Sequence, residues 1–140
     1  MSRDIFIDAS AWVAVANEGD AHHSVSVKIY SRLLTEYQRL VTTNLVVAET
    51  YILLRDDLGH RAAVAFLDNV RTSPRIERVI STNALEQEAE AILRRYDDQD
   101  FSYTDAVSFA LMKLRSIKEA FAFDKHFSTA GFQRVPSSFR

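Results

Sequence analysis

The apolar positions along the chain change period several times, and each change marks the edge of an element. Ile5, Phe6 and Ile7 form a short unbroken apolar run, the pattern of a strand buried on both faces over residues 4–7, with Asp8 at its C-terminal end. Ser10 is a plausible cap for a helix opening around residues 11–15. Val25, Ile29, Leu33 and Tyr37 recur at steps of four and predict the inner face of a second helix over 21–38. The β-prone stretch 40–43 precedes Asn44, a good helix cap, and the next helix carries Leu45, Ala48, Glu49, Ile52 and Leu53 before ending at Gly59. Residues 60–71 predict a helix turning Ala63, Val64, Phe66 and Leu67 inward. Pro74 stops it, and 76–80 follows as a strand. Asn83 with Glu86 has the form of a capping box for a helix to about residue 96, followed by an acidic loop at 97–100. A helix over 104–116, with Val107, Ala110, Leu111 and Leu114 on one face, leads to a strand at 120–123. Asp124 comes directly after it, and a last strand covers 133–135.

Short apolar strands alternating with helices predict an α/β protein: a central, mainly parallel sheet covered by helices on both faces, three layers in all. Ligands of such sheets bind beyond the carboxyl ends of the strands, where Asp8 and Asp124 stand. With 140 residues, three glycines and two prolines, the chain has length for one domain over 1–140 and no linker. The absence of cysteine excludes disulfides, thiolate-bound zinc and a thiol nucleophile. The N-terminus meets Asp4 and Asp8 before a signal-peptide apolar region develops, and no run reaches the roughly 18 apolar residues of a membrane helix. A cytoplasmic protein is expected. A net charge of −2 argues against holding nucleic acid by bulk charge alone, but it is compatible with an enzyme that keeps carboxylates for a metal.

Four acids carry the candidate chemistry, and each also has a structural reading. Asp8 could cap the helix after it, Ser102 and Asp105 could form a capping box, and Asp124 could cap the turn at 125–127. Glu49 lies in a helix apolar nearly all round, where a buried carboxylate needs a partner; the nearest cation in that stretch is Arg55. Taken together the four are more informative. Two like charges 4 Å apart repel by roughly 4 kcal/mol at an effective dielectric near 20. Converging carboxylates must therefore take up protons or recruit a cation. Hard oxygen donors suit Mg2+ or Mn2+, and such a site can activate water for phosphoryl displacement.

The segments Ile5-Phe6-Ile7-Asp8-Ala9-Ser10, Glu49 in its apolar helix, Ser102-Tyr103-Thr104-Asp105-Ala106-Val107-Ser108-Phe109-Ala110-Leu111-Met112, and Ala122-Phe123-Asp124-Lys125-His126-Phe127 before Gly131-Phe132 resemble PIN-domain motifs in order and separation. The likeness covers essentially the whole chain and is nearest to the VapC-type toxins of bacterial toxin–antitoxin pairs. It implies a three-layer α/β/α PIN-like fold and Mg2+- or Mn2+-dependent endonucleolytic cleavage of RNA, tRNA and rRNA being the possible substrate classes. Asp8 and Asp105 would be principal metal ligands, Asp124 would complete the site directly or through water, and Glu49 would bind metal or orient the attacking water. Ser10 and Thr104 resemble the hydroxyl positions that steady the carboxylates or touch phosphate. The partners implied are a small antitoxin protein and a second copy of the chain.

Lys125 and His126 could meet phosphates at the pocket rim or be solvated; His126 is disfavoured as a general base, because metal-activated water needs none. His22 and His23 read as surface residues, and Trp12, Tyr30 and Tyr37 as packing or as a dimer or antitoxin groove. Asp97, Asp98 and Asp100 read as a surface loop, with a peripheral site role as the lesser alternative for Asp100. Two other functions fit in outline. One is a PIN-type RNA-processing nuclease with no antitoxin. The other is a receiver-like phosphoacceptor module, against which stands the helical position of Glu49.

Overall fold

The computed structural model describes residues 3–137, so the outermost residues of the expected 1–140 domain lie outside the described part. Five strands, β1 (Asp4–Ile7), β2 (Arg39–Thr43), β3 (Ile76–Val79), β4 (Glu119–Phe121) and β5 (Gln133–Val135), form one sheet in the order β3-β2-β1-β4-β5. All four neighbouring pairs are parallel, and Phe6 is matched by Val41 on one side and Ala120 on the other. The central strands are apolar throughout because both faces are covered: Ile5, Phe6, Ile7, Leu40, Val41, Ala120 and Phe121 have no exposed surface.

Helices α1 (Ala9–Ala16), α2 (His23–Glu36), α3 (Asn44–Leu58) and α4 (His60–Thr72) connect β1 to β3, and they pack α1 on α2 and α3, and α3 on α4. Helices α5 (Asn83–Arg95) and α6 (Tyr103–Arg115) pair between β3 and β4, and the short α7 (His126–Thr129) meets α6. Right-handed crossovers place the first group on one face of the sheet. The chain then reverses direction at β3, which puts the second group on the other face. The strand order therefore turns at β1 and β4, so the two strands followed by Asp8 and Asp124 flank the switch point of the sheet.

Several helix starts differ from the sequence reading by one or two residues, for a shared reason. The caps are Asp8, Thr43 and Thr82, not Ser10, Asn44 and Asn83; in each, the side chain of the last extended residue accepts an N–H of the first turn. Asn44 instead accepts the N–H of Ser81 at 2.8 Å, and Glu86 accepts the Ser81 hydroxyl at 2.9 Å, tying together the loops after β2 and β3. Gly59 ends α3 as expected, at φ 95°, which favours glycine. The predicted inner faces are less uniform. Ile29, Leu33 and Tyr37 are buried, but Val25 is not, and Leu114 is 73% exposed at the end of α6.

Candidate active site

The first acid follows from the burial of β1. Asp8 is 4% exposed, and its carboxylate accepts from Ser10 twice, from the backbone N–H at 3.3 Å and from the hydroxyl at 2.7 Å. Ser10 Oγ in turn accepts the N–H of Phe123 at 3.1 Å, and the Asp8 N–H donates to the Phe121 carbonyl at 3.1 Å. The ends of β1 and β4 are thus joined through one hydroxyl. Burial is the main cause that pushes the Asp8 pKa up, to about 6; the bond from Ser10 opposes it and the charge of Asp105 adds to it.

Asp105 is both cap and site residue. Ser102 and Asp105 form a reciprocal capping box at the start of α6, with the Ser102 N–H donating to Asp105 Oδ2 at 3.1 Å and the Asp105 N–H to Ser102 Oγ at 3.0 Å. The residue is nevertheless 7% exposed and turned inward. Asp124 accepts the backbone N–H of His126 at 2.9 Å, in a turn three residues beyond β4, which ends at Phe121 and not at the expected residue 123. Asp8 and Asp105 thus act as capping side chains at the starts of α1 and α6, whereas α7 has no side-chain cap and Asp124 closes only the turn before it.

Glu49 differs from expectation. It lies on an exposed face of α3, together with Ala48, Ile52 and Leu53, so its helix is buried on one side only. Its pKa is nonetheless raised, first by loss of solvation and then by the charges of Asp105 and Asp124. The mutual influence of Asp8 with Asp105, and of Glu49 with Asp105 and Asp124, brings all four acids into one electrostatic neighbourhood. Among the described residues, no lysine or arginine pairs with any of them.

Of the flanking residues, Ser10 contacts Asp8 directly, whereas Thr104 is half-buried and Lys125 exposed. Neither of these side chains contributes a hydrogen bond to the four acids among the described residues. His126 lies deeper than the sequence suggested. Its Nδ1 is 3.0 Å from Asp105 Oδ2 and 3.4 Å from Asp124 Oδ1, and its Nε2 is 2.8 Å from Asp100 Oδ1. Burial lowers the His126 pKa, but hydrogen bonds to Asp105 and Asp100 and the charge of Asp124 outweigh it, so the net shift is upward. The hint in the sequence was the position of His126 two residues after Asp124; Asp100 comes from a distant loop and Asp105 from the first turn of α6. His22 and His23 are also half-buried: His22 stacks on Phe123 at 4.3 Å, and His23 Nδ1 is 2.8 Å from the Ala14 carbonyl.

The donor set suits a divalent cation. One ligand atom from each of Asp105, Asp124 and His126 lies within 4.8 Å of the others; Asp8 and Glu49 do not join that group and are linked to it by charge alone, Asp8 to Asp105 and Glu49 to Asp105 and Asp124.

Known proteins share both the sequence pattern and the fold of this chain. The PIN-domain family matches residues 5–133. The 23S rRNA-specific endonuclease VapC20 of Mycobacterium tuberculosis, in strains CDC 1551 / Oshkosh and H37Rv, is 41% identical over 132 residues, spanning 94% of this chain and 97% of the relative. The crystal structure of M. tuberculosis VapC20, described as a sarcin–ricin loop cleaving toxin, superposes with a TM-score of 0.84 at 39% identity, over 91% of this chain and 95% of that one. VapBC2 from Rickettsia felis, bound to a DNA fragment from its promoter, shares the fold at a TM-score of 0.67 and 11% identity, over 91% and 93% of the two chains.

Proposed function

The chain belongs to the PIN-domain family, and from that premise we propose that it is an endoribonuclease toxin whose substrate is 23S rRNA at the sarcin–ricin loop. One observation carries the reading: at the switch point of a parallel sheet, Asp105 and Asp124 lie together with His126, the charge of Asp105 reaches Asp8 and those of Asp105 and Asp124 reach Glu49, and among the described residues no lysine or arginine pairs with the four acids. The substrate is suggested by the VapC20 relative, which is similar over nearly its whole length.

In this reading Asp8, Asp105 and Asp124 hold Mg2+ or Mn2+. The bound ion supplies Lewis acidity that lowers the pKa of water and neutralises charge on the scissile phosphate. Ser10 keeps the Asp8 carboxylate oriented through its 2.7 Å hydrogen bond. Glu49, on the open face of α3 with a raised pKa, orients the attacking water or serves as a further ligand. Thr104 and the exposed Lys125 meet the phosphates flanking the cut. Residues 1–140 act as one nuclease domain in the cytoplasm; no helix of the described residues is long and apolar enough to cross a membrane.

A homodimer restrained by a small antitoxin completes the proposal. An apolar cleft of about 300 Å³ between α1, α2 and α4, lined by Trp12, Tyr30 and Phe66 among others, supports a protein partner. The test is cleavage of a sarcin–ricin loop oligonucleotide beside a tRNA of similar length. Selective cutting of the loop that stops with EDTA and returns with Mg2+ or Mn2+ is expected. Equal cutting of both RNAs would remove the substrate assignment, and cutting undiminished by EDTA would remove the metal.

A further inference from the structure

We propose that His126 Nδ1 is a nitrogen ligand of the divalent cation held by Asp105 and Asp124, and that Asp100 is the carboxylate that fixes the tautomer of that imidazole. The inference rests on the metal-nuclease reading above and adds to it a donor of a different chemical kind.

The two edges of the ring face different partners. Nε2 is 2.8 Å from Asp100 Oδ1, on a side chain that is 94% exposed. An ionised carboxylate only accepts, so without a metal each ring nitrogen presents an N–H to its aspartate; a cation at Nδ1 would displace the proton there and leave the Nε2–H on Asp100. Nδ1 points the other way, between Asp105 Oδ2 at 3.0 Å and Asp124 Oδ1 at 3.4 Å. Histidines that bind metals almost always donate their other ring N–H to a carboxylate or carbonyl, which sets the tautomer and raises the basicity of the ligating nitrogen. The order Asp100, His126, cation follows that arrangement.

Two constraints hold the ring there. The His126 N–H donates to Asp124 Oδ1 at 2.9 Å, so the turn that orients Asp124 also orients the histidine. The edge-to-face contact with Phe101, centroids 5.2 Å apart at 77°, fixes the ring plane, and Phe101 itself is buried next to Asp100. The three ligand atoms lie within 4.8 Å of one another. Donors on opposite sides of one Mg2+-sized ion are about 4.2 Å apart, so an adjustment of about half an ångström brings the three around one centre.

A mixed nitrogen–oxygen site has a preference that an all-carboxylate site lacks. Imidazole suits the later divalent transition metals, whereas Mg2+ takes oxygen donors. His126 therefore tilts the site toward Mn2+ over Mg2+.

The test uses the full chain without RNA. Mn2+ is titrated into the protein with electron paramagnetic resonance detection, and pulsed spectra of the bound ion are searched for coupling to 14N. Mg2+ affinity is obtained by competition. The wild-type chain should show nitrogen coupling. His126→Gln should abolish it and weaken Mn2+ binding by about 10- to 100-fold, with a smaller change for Mg2+. Asp100→Asn should retain the coupling while weakening Mn2+ by about tenfold. Bound Mn2+ without nitrogen coupling in the wild-type chain would overturn the His126 assignment and leave the carboxylate site standing. Failure of the wild-type chain to bind Mn2+ would overturn both. The wild-type spectrum decides even if a variant fails to fold.

Discussion

The two ends of the sheet use the same residue types to opposite effect. At the N-terminal end each glutamate has an arginine: Glu77 lies between Arg39 at 3.1 Å and Arg115 at 2.6 Å, and Glu119 is 3.0 Å from Arg3. The hydrogen bond from Arg115 is the main reason that the Glu77 pKa falls to about 2. At the C-terminal end four acids have no such partner among the described residues, and burial takes Asp8 up to about 6. The fold can pair its charges and does so where only stability is at stake. Where it leaves them crowded, proton uptake relieves the charge, with raised pKa values at Asp8, Glu49 and His126, and the proposed divalent cation would take over that role.

The strongest way to break this contrast is to remove one acid from each end. Asp105→Asn should lower RNA cleavage by at least about a hundredfold, since even residues behind the metal ligands cost about 10- to 100-fold. Glu77→Gln should leave cleavage within experimental error. Equal loss in both variants would mean that the ends do not differ in function.

Stability against pH should separate the ends by sign. The folded Asp8 pKa of about 6 exceeds its ordinary 3.8, so the folded chain binds more protons than the unfolded one between those values. Asp8 therefore costs stability as pH rises through about 4 to 6, and the loss is complete above that window. At about 1.4 kcal/mol per pH unit the upper bound is about 3 kcal/mol. In EDTA, Asp8→Asn should raise the denaturation midpoint at pH 8 and leave it unchanged below pH 4. A variant less stable than the parent at pH 8 would contradict the buried-charge account.

Ser10→Ala removes the hydroxyl that links Asp8 to the Phe123 N–H, and should destabilise the fold by about 1–2 kcal/mol in thermal melts. Cleavage should fall along with it, as Asp8 loses its orientation. Unchanged activity would make Ser10 a structural clasp only.

The smallest effect is expected at the paired end. Glu77→Gln should cost about 1 kcal/mol at pH 7 and low salt, discounted because both partners are partly solvated. The folded pKa lies below the ordinary 4.5, so this contribution is full above pH 4.5 and fades as pH falls toward 2. Melts at two salt concentrations check it, since the difference should shrink at high salt.

The sheet was legible because its strands are buried on both faces and so appear as unbroken apolar runs ending in Asp8 and Asp124. Helix starts were legible only to one residue, since Thr43-Asn44 and Thr82-Asn83 each offer two capping side chains and the backbone chooses one. Glu49 was singled out for the wrong environment. Periodicity could not tell that α3 packs on one side and leaves Ile52 57% exposed. His126 was weighed as a rim residue because its partners Asp100 and Asp105 lie more than twenty positions away, and only the docking of α7 against α6 brings them to it.

The central claim is that the crowded carboxylates at the carboxyl end of the sheet hold a divalent cation. A crystal soaked in Mn2+ and measured for anomalous scattering tests it most directly. The account predicts a peak ligated by oxygens of Asp8, Asp105 and Asp124 and, on the further inference, by His126 Nδ1, with Glu49 facing it. A peak at the arginine-paired end, or none among the four acids at saturating Mn2+, would contradict it.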